Sequence, residues 1–447
     1  MISSFGYFLI SNIFLVYIII IFVLLLVQEV FMDNKEKMVK VLLNKDFSTV
    51  MIDLLFPIGS RKENMMKSAM LTHMLQYMNN IYSTEEEFIE AKKLNYILNI
   101  SVSVNFVGNN GFLVFTMTIP DTFSLGEDLL IEQINFFNEV VYNPKVIDGS
   151  FDRFEFEREK KNILLNINNS NSDVDNFYNR KLLKLVDDKG IISCHLNDYV
   201  EEIEKLSSED LYSYYKEKVS NTNPLIYVMG NVDEIKIKEV LLNKFYDDSK
   251  NNASFIKDID CFLDVKEDVN YLNEESNFKE SVLSLVYKVK DMSVDDKDYI
   301  DLVASLLRHS AVGLLKKKLR DEMDLIYYSS VISYKDFGIL RITVYINKSN
   351  KEIAYEKILE IMNDIKDIDL INKSLKKLLS ACEVSLIKKL DNKYTIFNDF
   401  IDSDLGLNTT LEDRYELLKS VKADDVISFV NRLCLDTVYF LEEENHE

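Results

Sequence analysis

Apolar and polar residues alternate along the chain in blocks that predict a mixed α and β protein. Residues 47–59, 100–107 and 111–120 are rich in β-branched residues or alternate with polar ones, which is typical of strands. The run GNNG at 108–111 separates the last two and predicts a β-hairpin. Residues 69–80 instead have the apolar spacing of an amphipathic helix, so helices and strands share the same half of the chain.

The second half of the chain repeats this order of elements. A strand at 280–289 precedes a predicted helix at 296–323, a strand pair at 325–346 and a further helix at 351–367. The polar, charged stretch 247–279 between the two halves reads as a linker. The repeated order of elements predicts a duplicated α+β unit. The chain then divides into a hydrophobic segment 1–31, an N-terminal half 32–246, the linker 247–279 and a C-terminal half 280–447.

Composition narrows the choice of partners and of compartment. The net charge of −22 disfavours nucleic acid, because phosphate binding needs clustered lysines and arginines. The four cysteines are widely scattered and form no CxxC pair, which predicts reduced thiols in a cytosolic protein.

Residues 5–28 carry no charge and are long enough to cross a bilayer, which takes roughly 20 residues. The lysines that follow at positions 35, 37 and 40 would keep the bulk of the protein cytoplasmic by the positive-inside rule. Alternatively, Met32 is the true start and the apolar run is not translated. We therefore expect a cytoplasmic protein, either free or anchored to a membrane through residues 5–28.

Five stretches in order resemble the insulinase/pitrilysin (inverzincin) peptidase family, whose zinc signature is H-x-x-E-H. The resemblance implies two homologous α/β halves, each an antiparallel sheet packed with helices, that close as a clamshell. The five stretches are LTHMLQYM at 71–78, the hairpin at 98–120, FEREKKNILLNI at 156–167, residues 203–234, and LKKKLRDEMDLIYYS at 315–329.

The residues that match the family's zinc site are chemically degenerate. His73 matches the first histidine, but Gln76 stands where the general base should be, and an amide cannot take up a proton at neutral pH. Tyr77 replaces the second histidine and Asn166 the distant glutamate, and both are poor zinc ligands. The sequence therefore predicts a non-catalytic bacterial-type member of the family that has no catalytic residues and no metal or other cofactor.

Other residues could in principle rebuild a site. Glu159 lies two helical turns before Asn166, but its charged neighbours favour a solvated helix face. His195, His309 (expected on the helix 296–323) and His446 are expected to be ordinary surface or core histidines. His73 itself is expected to be a hydrogen-bonded polar residue rather than a ligand.

Arg320 and Tyr327 match an arginine and a tyrosine that face the substrate in the family, so the resemblance implies a substrate-binding role for both. The alternative is that Arg320 pairs with a nearby acidic residue and that Tyr327 packs in the core. The residues leave these two interpretations open.

Three functions fit these observations. In the first, the chain is a non-catalytic subunit that forms a heterodimer with a paralogous, active zinc peptidase. In the second, it is a stand-alone peptide-binding module that adds a peptide or protein segment to the strand at 100–106. The third, an active metallopeptidase with a non-standard site, is the least favoured.

Overall fold

The structure is a computed structural model that describes residues 37–77, 79–121, 129–187, 189–253, 260–407 and 409–443. The apolar segment 5–28 and His446 lie outside the described residues. Among the helices of the described residues, none has both the length and the apolarity needed to cross a membrane.

Ten strands form two five-stranded sheets in the described part of the chain. The first sheet has the order β1-β5-β2-β4-β3, and the second has the order β6-β10-β7-β9-β8. The strands are β1 (Val39–Leu43), β2 (Thr49–Ser60), β3 (Asn99–Val107), β4 (Asn110–Pro120), β5 (Leu225–Gly230), β6 (Asn270–Ser276), β7 (Ser281–Val289), β8 (Ile326–Tyr334), β9 (Ile339–Ile346) and β10 (Leu433–Glu443).

The two sheets have the same topology, which confirms the predicted pair of homologous α/β halves. In each, the first and last strands of the half lie side by side and run parallel, β1 with β5 and β6 with β10, whereas all other pairs are antiparallel. Each sheet is therefore antiparallel, as predicted, except for one parallel pair at its edge. A parallel pair requires a long crossover connection, and the whole helical part of each half supplies it.

Helices cover the inner face of each sheet. On β2 every second side chain, from Val50 to Ile58, is fully buried against helices of the same half. The helices are α1 (Arg61–Met74), α2 (Glu85–Leu94), α3 (Leu130–Tyr142), α4 (Arg153–Ser170), α5 (Val174–Val186), α6 (Val200–Lys205), α7 (Ser208–Tyr215), α8 (Glu234–Phe245), α9 (Lys297–Arg308), α10 (Lys351–Asp364), α11 (Ile368–Lys389), α12 (Lys393–Leu405), α13 (Leu411–Ser420) and α14 (Ala423–Val430).

The outer face of each sheet is covered by a helix from the other half. Helix α12 of the second half buries Phe397 and Ile401 against Met51 and Tyr227 of the first sheet. In return, α5 of the first half buries Tyr178 and other apolar residues against the second sheet. This exchange of helices joins the two halves through two apolar interfaces.

Each interface also contains polar contacts that fix the helix. The hydroxyl of Tyr178 donates to the backbone carbonyl of Tyr439 at 2.8 Å, and the two rings stack with centroids 4.6 Å apart. At the other interface, the Tyr227 hydroxyl donates to Asp404 Oδ2 on α12 at 2.8 Å. Such contacts favour one register for each docked helix.

Two expectations about the element boundaries were wrong. The helix predicted at 296–323 ends at Arg308, because His309 adopts an extended conformation and Gly313 has a φ of +46°. The predicted linker contains β6, whose alternating exposed residues fit a strand at the edge of a sheet.

The residues just before β6 are also held in place. Lys288 and Asp436 form a buried ion pair at 3.0 Å between β7 and β10. Lys288 Nζ also donates to the carbonyl of Asp264, and the backbone N–H of Lys266 donates to Asp436. The part of the predicted linker just before β6 is therefore bound to the second sheet.

We expect Phe397→Ala to destabilise the protein by about 3–5 kcal/mol, because the ring is fully buried between α12 and the first sheet. Hydrogen exchange should increase in β2 and β5, which belong to the other half of the chain. Tyr394→Ala on the same helix is the matched control, since that side chain is 56% exposed. If hydrogen exchange increased only in the second half, the packing of α12 on the first sheet would not stabilise that sheet, which would contradict this account.

Asp53 makes the stability of the protein depend on pH at the interface between α12 and the first sheet. It lies on β2 on the same side as Met51 and Leu55, and burial raises the pKa of its carboxyl from 3.8 to about 7, partly offset by a hydrogen bond from Thr116. From about pH 4 to about pH 7 the unfolded chain loses this proton while the folded chain keeps it, so the stability falls over that range and is level above it.

Replacing Asp53 by asparagine should therefore stabilise the protein, and the gain should be larger at about pH 8 than at about pH 5. Denaturant unfolding at both pH values measures it, with the exposed Asp46→Asn as control. A gain independent of pH would contradict this account.

Candidate functional site

Helix α1 ends before the degenerate motif is complete. His73 lies in its last turn, but the helix ends at Met74, and Gln76 and Tyr77 follow in a turn. Tyr77 is 45% exposed. The helix predicted over residues 69–80 therefore ends early, and His73, Gln76 and Tyr77 do not share one helix face.

A turn built around Asn79 accounts for this early end. Asn79 is buried, and its side-chain oxygen accepts hydrogen bonds from the backbone N–H groups of Ile81 and Tyr82 at 2.9 and 2.7 Å. The N–H of Asn80 donates to the carbonyl of Asn143 at 3.1 Å. Asparagine side chains compete in this way with helical hydrogen bonds, so the backbone leaves the helix after Met74.

His73 contacts a carboxylate on the neighbouring helix α4. Its Nδ1 lies 3.2 Å from Glu159 Oε2, and the Glu159 side chain is only 14% exposed. Glu159 also accepts hydrogen bonds from Arg158 Nε at 3.0 Å and Asn162 Nδ2 at 3.2 Å. The expectation of a solvated Glu159 was wrong, because α4 turns this position towards α1 while the charges around it face outward. His73 has the hydrogen-bonded role that was expected.

The partners of Glu159 keep it ionised. Burial acts to raise the pKa of its carboxyl, but the hydrogen bonds from Asn162, Arg158 and His73 outweigh burial, and the pKa lies below its ordinary value. At neutral pH the group is a carboxylate whose oxygens are already used by three side chains.

His73 and Asn166 line one cavity of about 210 Å³ between α1, α4 and the loop that follows α5. Asn197 borders it as well, and its amide donates to Asn171 Oδ1 at 3.1 Å and Ser170 Oγ at 3.3 Å. The pocket thus brings together two of the four motif positions, His73 and Asn166, but not Gln76 or Tyr77. Asn197 carried no signal in the sequence, because only the folded loop places it there.

The side chains around this cavity do not suit a zinc ion. Zinc sites use imidazole, thiolate and carboxylate ligands, commonly three from the protein where water is activated. The lining here offers one imidazole, amides and a hydroxyl, and the nearest carboxylate is bound to that imidazole. In the described part of the chain, no group of three or more His, Cys, Asp or Glu side chains is placed to hold a metal.

The other described histidines do not complete the site. His195 lies in the loop after α5 and is half-buried. His309, expected within a helix, instead follows the end of α9, and its Nδ1 accepts from the backbone N–H of Ala311 at 3.2 Å. The four cysteines are all free.

Arg320 and Tyr327 are both exposed on the second half. Tyr327 does not pack in the core, and its hydroxyl hydrogen-bonds to Asn347 Oδ1 at 2.5 Å. Among the described residues no carboxylate forms an ion pair with Arg320. The alternative roles for this pair are therefore not supported, and their substrate-binding role stays a prediction.

Strand β3 is an edge strand of the first sheet, with no further strand paired to it among the described residues, and it packs near α1. Its Ser103 and Asn105 are exposed, and the Arg61 guanidinium at the start of α1 lies 5.0 Å from the ring centre of Phe106. An edge strand presents backbone N–H and C=O groups to which a further strand can pair.

Comparisons with known proteins agree with this fold. Residues 205–381 match the family model described as the peptidase M16 inactive domain. A probable inactive metalloprotease of Bacillus subtilis, YmfF, is 20% identical over 404 residues, which cover 89% of this chain and 93% of that protein.

Solved structures show the same fold. A conserved protein from Enterococcus faecalis superposes with a TM-score of 0.78 at 18% identity, covering 92% of this chain and 97% of that one. The periplasmic protease PqqL from Escherichia coli superposes with a TM-score of 0.69 at 12% identity, covering 91% of this chain but 46% of PqqL.

We expect Glu159→Gln to lower the free energy of unfolding at pH 7 by roughly 1 kcal/mol, because the amide weakens three hydrogen bonds to a carboxylate. The pKa of Glu159 is depressed in the folded state, so the difference should disappear as the pH falls through that pKa and both states become protonated.

Denaturant unfolding between neutral and acidic pH measures this difference. Glu157→Gln on the same helix is the control, since its side chain is 56% exposed and its ion pair with Lys160 is worth little. Equal effects of the two substitutions would show that the contact with His73 contributes nothing.

Proposed function

Because the chain belongs to the M16 (insulinase/pitrilysin) peptidase family as an inactive homologue, we propose that it acts as the non-catalytic partner of an active zinc peptidase of the same family. It would hold no metal itself. The proposal rests on one observation above all: the two-half scaffold is complete, while the cavity beside His73 is lined by neutral groups.

The size of the chain supports a role as one part of a larger assembly. It covers 46% of PqqL, so that protease contains roughly a second equivalent length of chain. A separate partner of the same fold could supply this second part, together with the zinc ion and the general base. The chain described here would then contribute surface that captures substrate.

An exposed apolar surface on the first half is a candidate for the contact with such a partner. Leu94 ends α2, and Tyr96 and Leu98 follow it in the connection to β3. These three residues, which we call the Leu94–Leu98 surface, are 72%, 53% and 54% exposed. Tyr96 has a φ of +53°, which turns this connection sharply and keeps the three side chains outside the core. Clustered exposed apolar side chains are typical of contact surfaces.

A second candidate function is the binding of extended peptides without cleavage. The free edge of β3 supports it, because main-chain hydrogen bonds at a sheet edge accept many sequences. Arg320 and Tyr327, both exposed, would hold the peptide from the second half. The four free cysteines fit a reducing, cytoplasmic setting for either function.

We expect affinity purification of the tagged full-length chain from its native cells to recover a family member with an intact H-x-x-E-H motif. Leu98→Asp should reduce this recovery at least about tenfold, because a charge would be buried at the contact. Ile235→Asp on α8, where the side chain is 82% exposed, is the matched control. Recovery of the wild-type chain as a lone monomer would contradict the partner role.

For the peptide-binding candidate, a pool of random peptides should bind the purified chain, and Arg320→Ala should weaken the binding about tenfold by removing a charged hydrogen-bond donor. Fluorescence anisotropy measures this, with Lys317→Ala as control, because that side chain is also exposed and lies one turn earlier. If Arg320→Ala binds the peptides as tightly as the wild type does, Arg320 is not part of the peptide-binding site.

A further inference from the structure

A cavity of about 100 Å³ lies between three helices of the second half and shares no residue with the pocket beside His73. Helices α9, α11 and α13 each line it with residues that recur every three or four positions, and such residues lie on one face of a helix. Protein interiors are closely packed and contain few voids of this size. The cavity is therefore a candidate site for a small bound molecule.

Leucines form most of the wall of this cavity. Leu302, Leu378 and Leu418 line it and are buried, one on each of the three helices. Cys382 lies among them, is only 8% exposed, and has no hydrogen-bond partner for its thiol in the described part of the chain. A free cysteine in such surroundings behaves as a small apolar residue. The two serine hydroxyls of the lining donate to carbonyls of their own helices, so this wall suits an alkyl group.

Contacts between α9 and α13 show how these helices are oriented. The hydroxyl of Thr409, just before α13, donates to Asp298 Oδ1 on α9 at 2.8 Å. Further along both helices, Nη2 of Arg414 lies 3.5 Å from Oδ2 of Asp301. The two helices therefore run in the same direction along the cavity.

Helix α11 runs in the opposite direction. The Tyr415 hydroxyl donates to Glu383 at 3.2 Å, and Lys389, further along α11, donates to Glu412 at 2.8 Å. The two aspartates of α9 and Arg414 therefore lie at one end of the cavity, and the buried leucine of α11 lies towards the other end.

The charged end of the cavity carries an excess of one negative charge. Asp298 and Asp301 line it together with a single guanidinium, that of Arg414. Within the described residues Asp298 forms no ion pair, and its hydrogen bond to Thr409 leaves its charge uncompensated. The imidazole of His309 also lines the cavity, and its Nδ1 accepts a hydrogen bond from a backbone N–H, as a neutral ring does. This end therefore favours a cationic group.

We propose that this cavity binds a small aliphatic amine in its protonated form. The alkyl group contacts the leucines, and the ammonium group donates hydrogen bonds to Asp298 and Asp301. An apolar cavity of about 150 Å³ accommodates benzene, so this smaller space takes a ligand of about four to six non-hydrogen atoms. The site lies wholly in the second half and depends neither on the cavity beside His73 nor on a partner chain.

The test is the thermal unfolding of the full chain at about pH 7, where an alkyl amine is protonated as lysine is. The three solutions contain isobutylamine hydrochloride, isobutanol, or sodium chloride at the ionic strength of the first. Isobutylamine should raise the unfolding temperature above the value in sodium chloride, in a saturable way. Isobutanol has the same carbon skeleton without the charge and should not raise it.

Two variants locate this effect in the cavity. Asp298→Asn should weaken the binding of isobutylamine at least about tenfold, because the charge of the acceptor is lost while its shape is kept. Cys382→Leu should abolish the binding, because the larger side chain fills the space. Asp295→Asn is the matched control, since this exposed aspartate lies just before α9 and outside the cavity, and it should bind the amine as the wild type does.

Equal stabilisation by isobutylamine and isobutanol would overturn the proposal, as would unchanged amine binding in both cavity variants. If one variant fails to fold, the other decides, together with the labelling of cysteines in the wild type. The bound amine should slow the reaction of Cys382 with iodoacetamide and leave that of Cys434, outside the cavity, unchanged. Peptide mass spectrometry measures both rates, and a rate at Cys382 that does not respond to the amine would overturn the proposal as well.

Discussion

The hydrogen bond between His73 and Glu159 determines what the cleft of this protein can do. An imidazole and a carboxylate on neighbouring helices are two of the groups from which a zinc site is built. Here they bind each other at 3.2 Å, and the carboxylate also serves Arg158 and Asn162. The surrounding positions supply amides, which bind zinc weakly and cannot act as a general base at neutral pH. The contact therefore links α1 to α4 as part of the packing, not as part of a reaction centre.

The scaffold around this contact is kept intact by a different set of interactions. Both sheets bury their inner faces against helices of their own half and their outer faces against a helix from the other half, α12 or α5. None of these apolar contacts depends on a bound zinc ion, so the side chains at the zinc-site positions could be replaced without loss of the fold. This separation explains how an inactive homologue can keep the complete two-half scaffold.

Much of the fold was predictable from the sequence, because strands such as β2 and helices such as α4 carry clear apolar periodicity. The identities at positions 73, 76, 77 and 166 predict a lost zinc site, and this stays a prediction. The early end of α1 was not predictable, since it depends on the hydrogen bonds of Asn79 to Ile81 and Tyr82. The role of Glu159 and the strand β6 were missed for a related reason: both are surrounded by polar residues, and only tertiary packing shows which side they face.

Zinc content measured together with peptide hydrolysis tests the central claim most directly. After incubation with zinc and removal of the unbound metal, the isolated full-length chain should retain far less than one equivalent and should cleave no peptide. Stoichiometric zinc held between the helices of His73 and Asn166, with hydrolysis that a chelator abolishes, would contradict the account.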